Sequence, residues 1–177
     1  MKILKKLLRI LLLLIVVLLV ISFFLPSKYR VERSELIEAK PAAIFEHLNT
    51  LTKWPEWTAW TVARYPDMNV SFEGPEAGVG AIYQWSGKSS GNGVLKITRS
   101  EPEQGVWFDL DFEQGKYLSK GAILMQPSGD SVKVTWSNEG ELGLNPMRRY
   151  FGLVMDRMMG PDFEKGLQNL AEKVEGK

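Results

Sequence analysis

With 177 residues, 45% of them hydrophobic, and a formal net charge of +1, the chain has the size of one compact domain and lacks the basic surface that nucleic-acid binding requires. It has no cysteine, which excludes disulfides, thiolate metal sites and cysteine nucleophiles together. A single histidine, His47, leaves imidazole-based metal binding without the convergent ligands it needs.

Much of the hydrophobic excess sits at the N-terminus. Ile10 to Leu25 (ILLLLIVVLLVISFFL) carries no charge and makes about 24 Å of helix at 1.5 Å per residue. Adding Ile3, Leu4, Leu7 and Leu8, with Arg9 snorkelling toward headgroups, makes it long enough for a hydrocarbon core of about 30 Å. MKILKKLLR would also serve as the basic region of a cleaved signal. The apolar run exceeds a usual signal core, however, and VISFFLPSKY offers no small-residue cleavage site. Residues 1–27 are therefore expected to form an uncleaved signal anchor, a single transmembrane helix. Lys2, Lys5, Lys6 and Arg9 outweigh Lys28, Arg30 and Arg33, which favours a cytoplasmic N-terminus. That orientation implies an inner (plasma) membrane protein whose second region, residues 28–177, is extracytoplasmic or periplasmic.

Pro26 and Ser27 are the only linker before YRVERSELIEA, where a rough alternation predicts a first strand. Pro41 suits the first position of a helix over PAAIFEHLNTL, with Ile44, Phe45, Leu48 and Leu51 at helical spacing. WPEWTAW then places three of the six tryptophans within seven residues, and Pro55 is expected to start a short helical turn with Trp57 and Trp60 on one side. From Asn69 the pattern becomes short alternating runs: VGAIYQW, GVLKITRS, GVWFDLDF, KGAILMQP and SVKVTWSN. These imply an antiparallel meander with one buried face, and Asn92-Gly93 reads as a hairpin signal. From Pro146 helical spacing returns: Met147, Phe151, Val154 and Met158 form one stripe, and Phe163, Leu167, Leu170 and Val174 another. The phase slips by one residue at MGPD, so a long bent helix or two coaxial pieces are expected.

This order, carried by VERSELIEAKPAAIFEHLNTLTKWPEWTAW, GVGAIYQWSG with GNGVLKITRSEP, and MDRMMGPDFEKGLQNLAEKV, resembles the SRPBCC superfamily. The similarity is to its polyketide cyclase/dehydrase-like branch, which belongs with the START and Bet v 1 proteins, and it runs from about Tyr29 to Val174. The resemblance implies an α+β helix-grip fold: a curved antiparallel sheet of about six or seven strands around a long C-terminal helix, with two short helices after the first strand. It also implies a hydrophobic cavity. Members bind or carry lipids, sterols, polyketides and other apolar molecules, and a few catalyse cyclisation or dehydration. The fold alone does not assign the activity.

The residues themselves offer little catalytic chemistry. His47 lies among apolar neighbours on the first helix of the domain, and no GxSxG elbow presents a serine. SGKSSGNG lacks the first glycine of a phosphate loop, having Ile82 there, and a strand follows it; Gly78 and Gly80 lack a third glycine at Tyr83. Asp109 and Asp111 share a strand face, as paired acid-base carboxylates would, but that face lies opposite Phe108, Leu110 and Phe112 and reads as solvated. No catalytic residue, metal or cofactor is expected.

Four of seven methionines, Met147, Met155, Met158 and Met159, lie in the last helix, suiting either core packing or an adaptable apolar pocket. The expected ligand-binding residues are Trp57, Trp60, Tyr83, Trp85, Phe108, Phe112, Trp136, Phe151, Met155 and Met158. The reading is a membrane-anchored binder or carrier of an apolar small molecule or lipid. A cyclase- or dehydratase-like enzyme, and an interaction module whose cavity is filled by its own side chains, stand as alternatives.

Overall fold

The computed structural model describes residues 2–176. Helix α1, Lys2–Phe24, precedes strand β1, Lys28–Ile37. Helix α2, Pro41–Asn49, and a 3-10 helix, Leu51–Glu56, lead into the strands β2, Asn69–Glu73; β3, Ile82–Gly87; β4, Gly91–Glu101; β5, Gly105–Phe112; β6, Tyr117–Ser128; and β7, Ser131–Glu141. Helix α3, Pro146–Glu175, completes the chain. All seven strands form one antiparallel sheet in the order β1-β7-β6-β5-β4-β3-β2, so β1 closes beside the last strand and the meander runs outward from there. This is the α+β helix-grip architecture.

The sequence explains these elements locally. Pro41, whose ring fixes φ near the helical value, opens α2. The Asn145 side chain caps α3 by accepting hydrogen bonds from the amides of Met147 and Arg148, and Gly176, in the left-handed region, closes it. Strand alternation puts Val31 and Ile37, Trp136, Ile123, Phe108 and Val106, Ile97 and Leu95, and Tyr83 on the inner face. Ile44, Leu48 and Leu51 cover them from one side, and Phe163, Leu167 and Leu170 of α3 from another.

Three details differ from the sequence expectation. The β3–β4 turn lies at Lys88–Ser90, where the Asp67 carboxylate accepts the Lys88 amide at 2.6 Å and the Ser89 amide at 3.1 Å. Asn92 and Gly93 instead lie within β4, and a Cβ on Gly93 would strike the Trp85 ring; Gly121 likewise makes room for Phe108. The inner-face glycines let large rings lie flat on the neighbouring strand. Strand β3 starts at Ile82 rather than Val79, because Gly78 and Gly80, both at positive φ, turn the chain ahead of it. Pro55 lies inside the 3-10 helix and Trp57 follows its end, so the paired indoles at i, i+3 are Trp54 and Trp57. Of the two alternatives for the C-terminal segment, the structure has the single long helix: α3 runs uninterrupted through Pro161.

Its two halves sit differently. Phe163, Leu167 and Leu170 are buried, whereas Met147, Phe151, Val154 and Met158 are exposed. In the first half the inward side carries Arg149, Gly152, Met155, Asp156, Met159 and Gly160. Gly160 has only hydrogen facing the Arg33 guanidinium, and that guanidinium grips Asp156 through two hydrogen bonds of 2.8 and 3.0 Å.

The hydrogen bond from Arg33 holds the Asp156 carboxyl below its ordinary value of 3.8. A carboxyl whose folded value lies below its unfolded one adds stability that is complete above the unfolded value and is lost as pH falls through the folded one. The native chain is therefore expected to be more stable than Asp156→Asn at neutral pH, with the gap closing below 3.8. Urea midpoints of both proteins in the two pH ranges check this; a gap that stays constant into acid would exclude the pair as a source of pH dependence.

Candidate ligand-binding face

The inner face of the sheet divides into two aromatic groups. The first is closed. Trp54, Trp57, Trp60, Phe108, Trp136 and Phe163 surround one point, with Trp136 stacked on Phe163 at 4.4 Å and 3° and the indoles of Trp54 and Trp57 set at angles to it. The second is an open row across β2, β3, β5 and β6: Phe72 stacks on Tyr83 at 5.3 Å, then come Trp85, Phe112 and Tyr117 at 5.4, 6.5 and 6.4 Å steps. Phe72 and Tyr117, at its ends, are exposed, and Trp85 and Phe112 are half-buried. Offset and tilted arrangements are the favoured geometry for such rings.

The polar inventory of this face is short. Trp54 donates to the Leu48 carbonyl at 3.0 Å, but the buried Nε1 atoms of Trp57, Trp85 and Trp136 and the Oη of Tyr83 have no partner among the described residues. Buried polar groups are ordinarily hydrogen-bonded, so unpartnered ones on an apolar face invite an acceptor from elsewhere. Burial pushes the Tyr83 phenol up to about 12, which keeps it neutral. Nearer α1, the Tyr29 hydroxyl donates to Asn138 Oδ1 at 3.0 Å, and Asn138 Nδ2 donates to Ser119 Oγ at 3.1 Å. Burial raises the Tyr29 phenol too, partly offset by its hydrogen bonding with Ser119. Sequence reading passed over this chain. Its signal was Asn138, a polar residue in the inward phase of Val132, Val134 and Trp136.

The ten expected ligand residues thus fall into separate places. Trp57, Phe108 and Trp136 belong to the closed group, with Trp60 half-buried at its edge; Tyr83, Trp85 and Phe112 lie in the open row; Met155 is half-buried on the inward side of α3. Phe151 and Met158 lie elsewhere, on the exposed stripe, because the inward side of that half-helix is taken by Arg149, Asp156 and the glycines. His47 turns Nδ1 to the Ala43 carbonyl at 3.0 Å, within its own helix. Asp109 and Asp111 lie on the outer face, in a wide open groove of ≈ 950 Å³ with Lys28, Arg30, Lys96 and Lys120. None of the ten lines that groove. A smaller depression of ≈ 150 Å³ between β2 and β3 includes Trp85. Among the described residues no cluster of His, Cys, Asp and Glu could hold a metal.

The comparison with protein families is decisive for kinship: the model for polyketide cyclase / dehydrase and lipid transport matches residues 28–175. The chain belongs to that family. The match starts at the first residue of β1 and ends at the last of α3, so the family's portion is the helix-grip domain and α1 lies outside it. Among curated proteins nothing matches. Solved structures share the fold at low identity. The di-domain ARO/CYC StfQ from the steffimycin biosynthetic pathway aligns with a TM-score of 0.63 at 10% identity, over 84% of this chain and 51% of that one. A protein from Rhodobacter sphaeroides gives 0.58 at 14% identity, over 84% and 93%. The Aha1 dimer from Colwellia psychrerythraea gives 0.56 at 15%, over 82% and 96%. Likeness at this level speaks to the fold of the family and leaves the ligand to be argued from the site.

Proposed function

We propose that this family member is a membrane-anchored binder or carrier of a hydrophobic small molecule or lipid, held against the inner-face aromatic row. Residues 1–27 act as the anchor and 28–177 as the binding domain, on the extracytoplasmic side of the inner membrane. The observation that carries the reading is the set of unpartnered donors, Trp85 Nε1 and Tyr83 Oη above all, among half-buried rings. An apolar molecule with a carbonyl, hydroxyl or ester oxygen would cover the rings, at about 25 cal/mol per Å² of apolar area, and accept from those donors. Proton-transfer chemistry is less well supported. The inward-facing Tyr83 and Tyr29 are both raised phenols, neutral at physiological pH, and suit binding rather than acid-base exchange.

Tyr83→Phe separates binding from folding. It deletes a buried hydroxyl that has no partner among the described residues, so stability is expected to hold or rise by up to about 1 kcal/mol. Retention of a copurified ligand is expected to fall roughly tenfold, the equivalent of about 1.4 kcal/mol. Native mass spectrometry of the full chain released from nanodiscs reads the ligand directly. Consistently empty protein, or a variant that retains ligand as well as the native chain, would remove the reading.

A further inference from the structure

The exposed stripe of α3 stands beside the one helix of the described chain that is long and apolar enough to cross a membrane. Met147, Phe151, Val154 and Met158 recur at steps of four, three and four on one side of α3 and are between 41% and 77% exposed. An apolar stripe of that length facing water has no stabilising role in a soluble domain, where such faces are normally covered. What covers it is indicated by the contact between α3 and α1. The Tyr150 hydroxyl, one residue from Phe151, donates to the Leu18 carbonyl at 2.7 Å, and Arg149 donates to the carbonyls of Ser22 and Phe23 at 3.1 and 3.0 Å.

Leu18 sets the depth. The apolar length from Ile3 to Phe24 is about 33 Å at 1.5 Å per residue, against a hydrocarbon core of about 30 Å. Placing Ile3 at the inner boundary puts Leu18 about 22 Å across, roughly 8 Å short of the outer boundary. With Ile3 there, Lys5, Lys6 and Arg9 already snorkel back to the inner headgroups, so sliding the helix outward would draw them deeper into hydrocarbon, while taking Arg9 as the inner boundary puts Leu18 deeper still. With Ile3 at the boundary, a residue bonded to the Leu18 carbonyl stands below the headgroups, at the depth of about 5–10 Å typical of helices lying in the interface. Arg157 flanks the stripe on one side, placed for anionic headgroups at its margin, while Arg148 on the other side donates to the Lys116 carbonyl at 3.1 Å.

Resting on the reading that α1 spans the bilayer, we propose that the first half of α3, Met147 to Met158, is a second membrane-contact surface. Its apolar stripe lies against lipid acyl chains at the outer boundary, and the domain sits on the bilayer by two attachments. The partner is the lipid itself; the stripe is continuous with the α1 contact through Arg149 and Tyr150.

The absence of cysteine makes single-cysteine spin labelling of the full chain clean. Val154→Cys and Met158→Cys are labelled in phosphatidylcholine/phosphatidylglycerol nanodiscs, with Leu14→Cys as the anchor control and Gln168→Cys, exposed farther along α3, as the aqueous control. At 154 and 158 the expected result is a gain in collisions with oxygen and a loss of collisions with an aqueous nickel chelate, as at position 14 and opposite to 168. Lipid exposure at 14 with water exposure at 154 and 158 overturns this inference and leaves the anchor standing. Shielding of 154 and 158 from both reagents also overturns it, since a protein would then cover the stripe. Water exposure at 14 overturns the anchor and this surface together.

Discussion

Trp136→Ala is expected to destabilise the domain by about 3–5 kcal/mol, the range for deleting a buried aromatic side chain. Trp136 is only 3% exposed, and its indole is the ring on which the closed aromatic group converges: stacked on Phe163, crossed by Trp54, Trp57 and Trp60. It also joins three elements, since Gly166 of α3 approaches it closely enough that a Cβ would stand 2.9 Å from its ring. The loss would leave a cavity between β7, α3 and the WPEWTAW segment, which can collapse only if all three shift. Trp136→Phe is expected to cost much less, because it keeps a ring on Phe163 and removes a buried N–H that has no partner among the described residues. Domain unfolding in urea, followed by near-ultraviolet circular dichroism, measures both. Equal costs for the two variants would mean that ring stacking is not what Trp136 contributes. With whole-domain stabilities of about 5–15 kcal/mol, the alanine variant is expected to approach the limit of folding.

The same region shows how far the sequence could be read. Period-two alternation put Tyr83, Trp85, Phe108, Phe112 and Trp136 on one face of a meander, and β-sheet geometry makes that inference local: residues i and i+2 must share a side. The second stripe of α3 was legible for the parallel reason, as Phe163, Leu167 and Leu170 follow the helical repeat and are buried. The first stripe was not. Met147, Phe151, Val154 and Met158 are apolar, but hydropathy does not say whether an apolar face is turned toward the core or away from it, and these four are exposed. The inward side was disguised by Arg149 and Asp156, whose charges are matched by tertiary partners at the end of α1 and on β1. Likewise WPEWTAW could be read as a gathering of three indoles on a short turn, but which indole keeps its N–H paired depends on where the Leu48 carbonyl lands. The division of the candidate site into a closed group and an open row is a tertiary fact of the same kind. It turns on rings from strands distant in sequence, admitted by Gly93 and Gly121.

Arg149→Leu is expected to loosen the junction between α1 and the domain while leaving the domain core folded. The last carbonyls of a helix have no partner within it, and the end of α1 meets Arg149, a buried cation suited to the negative end of the helix dipole. Its Nη1 donates to the carbonyls of Ser22, Phe23 and Leu25 at 3.1, 3.0 and 3.4 Å, and its Nε to that of Gly143 at 2.8 Å. Each acceptor left unsatisfied would cost about 1–3 kcal/mol, and because they share one donor group the losses do not add. A junction weakened by on the order of 3 kcal/mol opens roughly a hundredfold more often. The amide of Leu142, which donates to the Ser27 carbonyl at 2.8 Å, reports that opening, so its hydrogen exchange is expected to accelerate by about that factor. Arg149→Lys is expected to recover only part of the loss, since an ammonium is a point charge and cannot present the planar fork that reaches these carbonyls together. Tyr150→Phe removes one bond, to the Leu18 carbonyl, and is expected to change Leu142 exchange less. Unchanged exchange at Leu142 in Arg149→Leu would show that Pro26 and Ser27 behave as a free tether. Accelerated exchange would instead place the domain in a fixed stance on α1, which, under the proposed function, is the condition for the aromatic face to exchange an apolar ligand with the bilayer at a constant height.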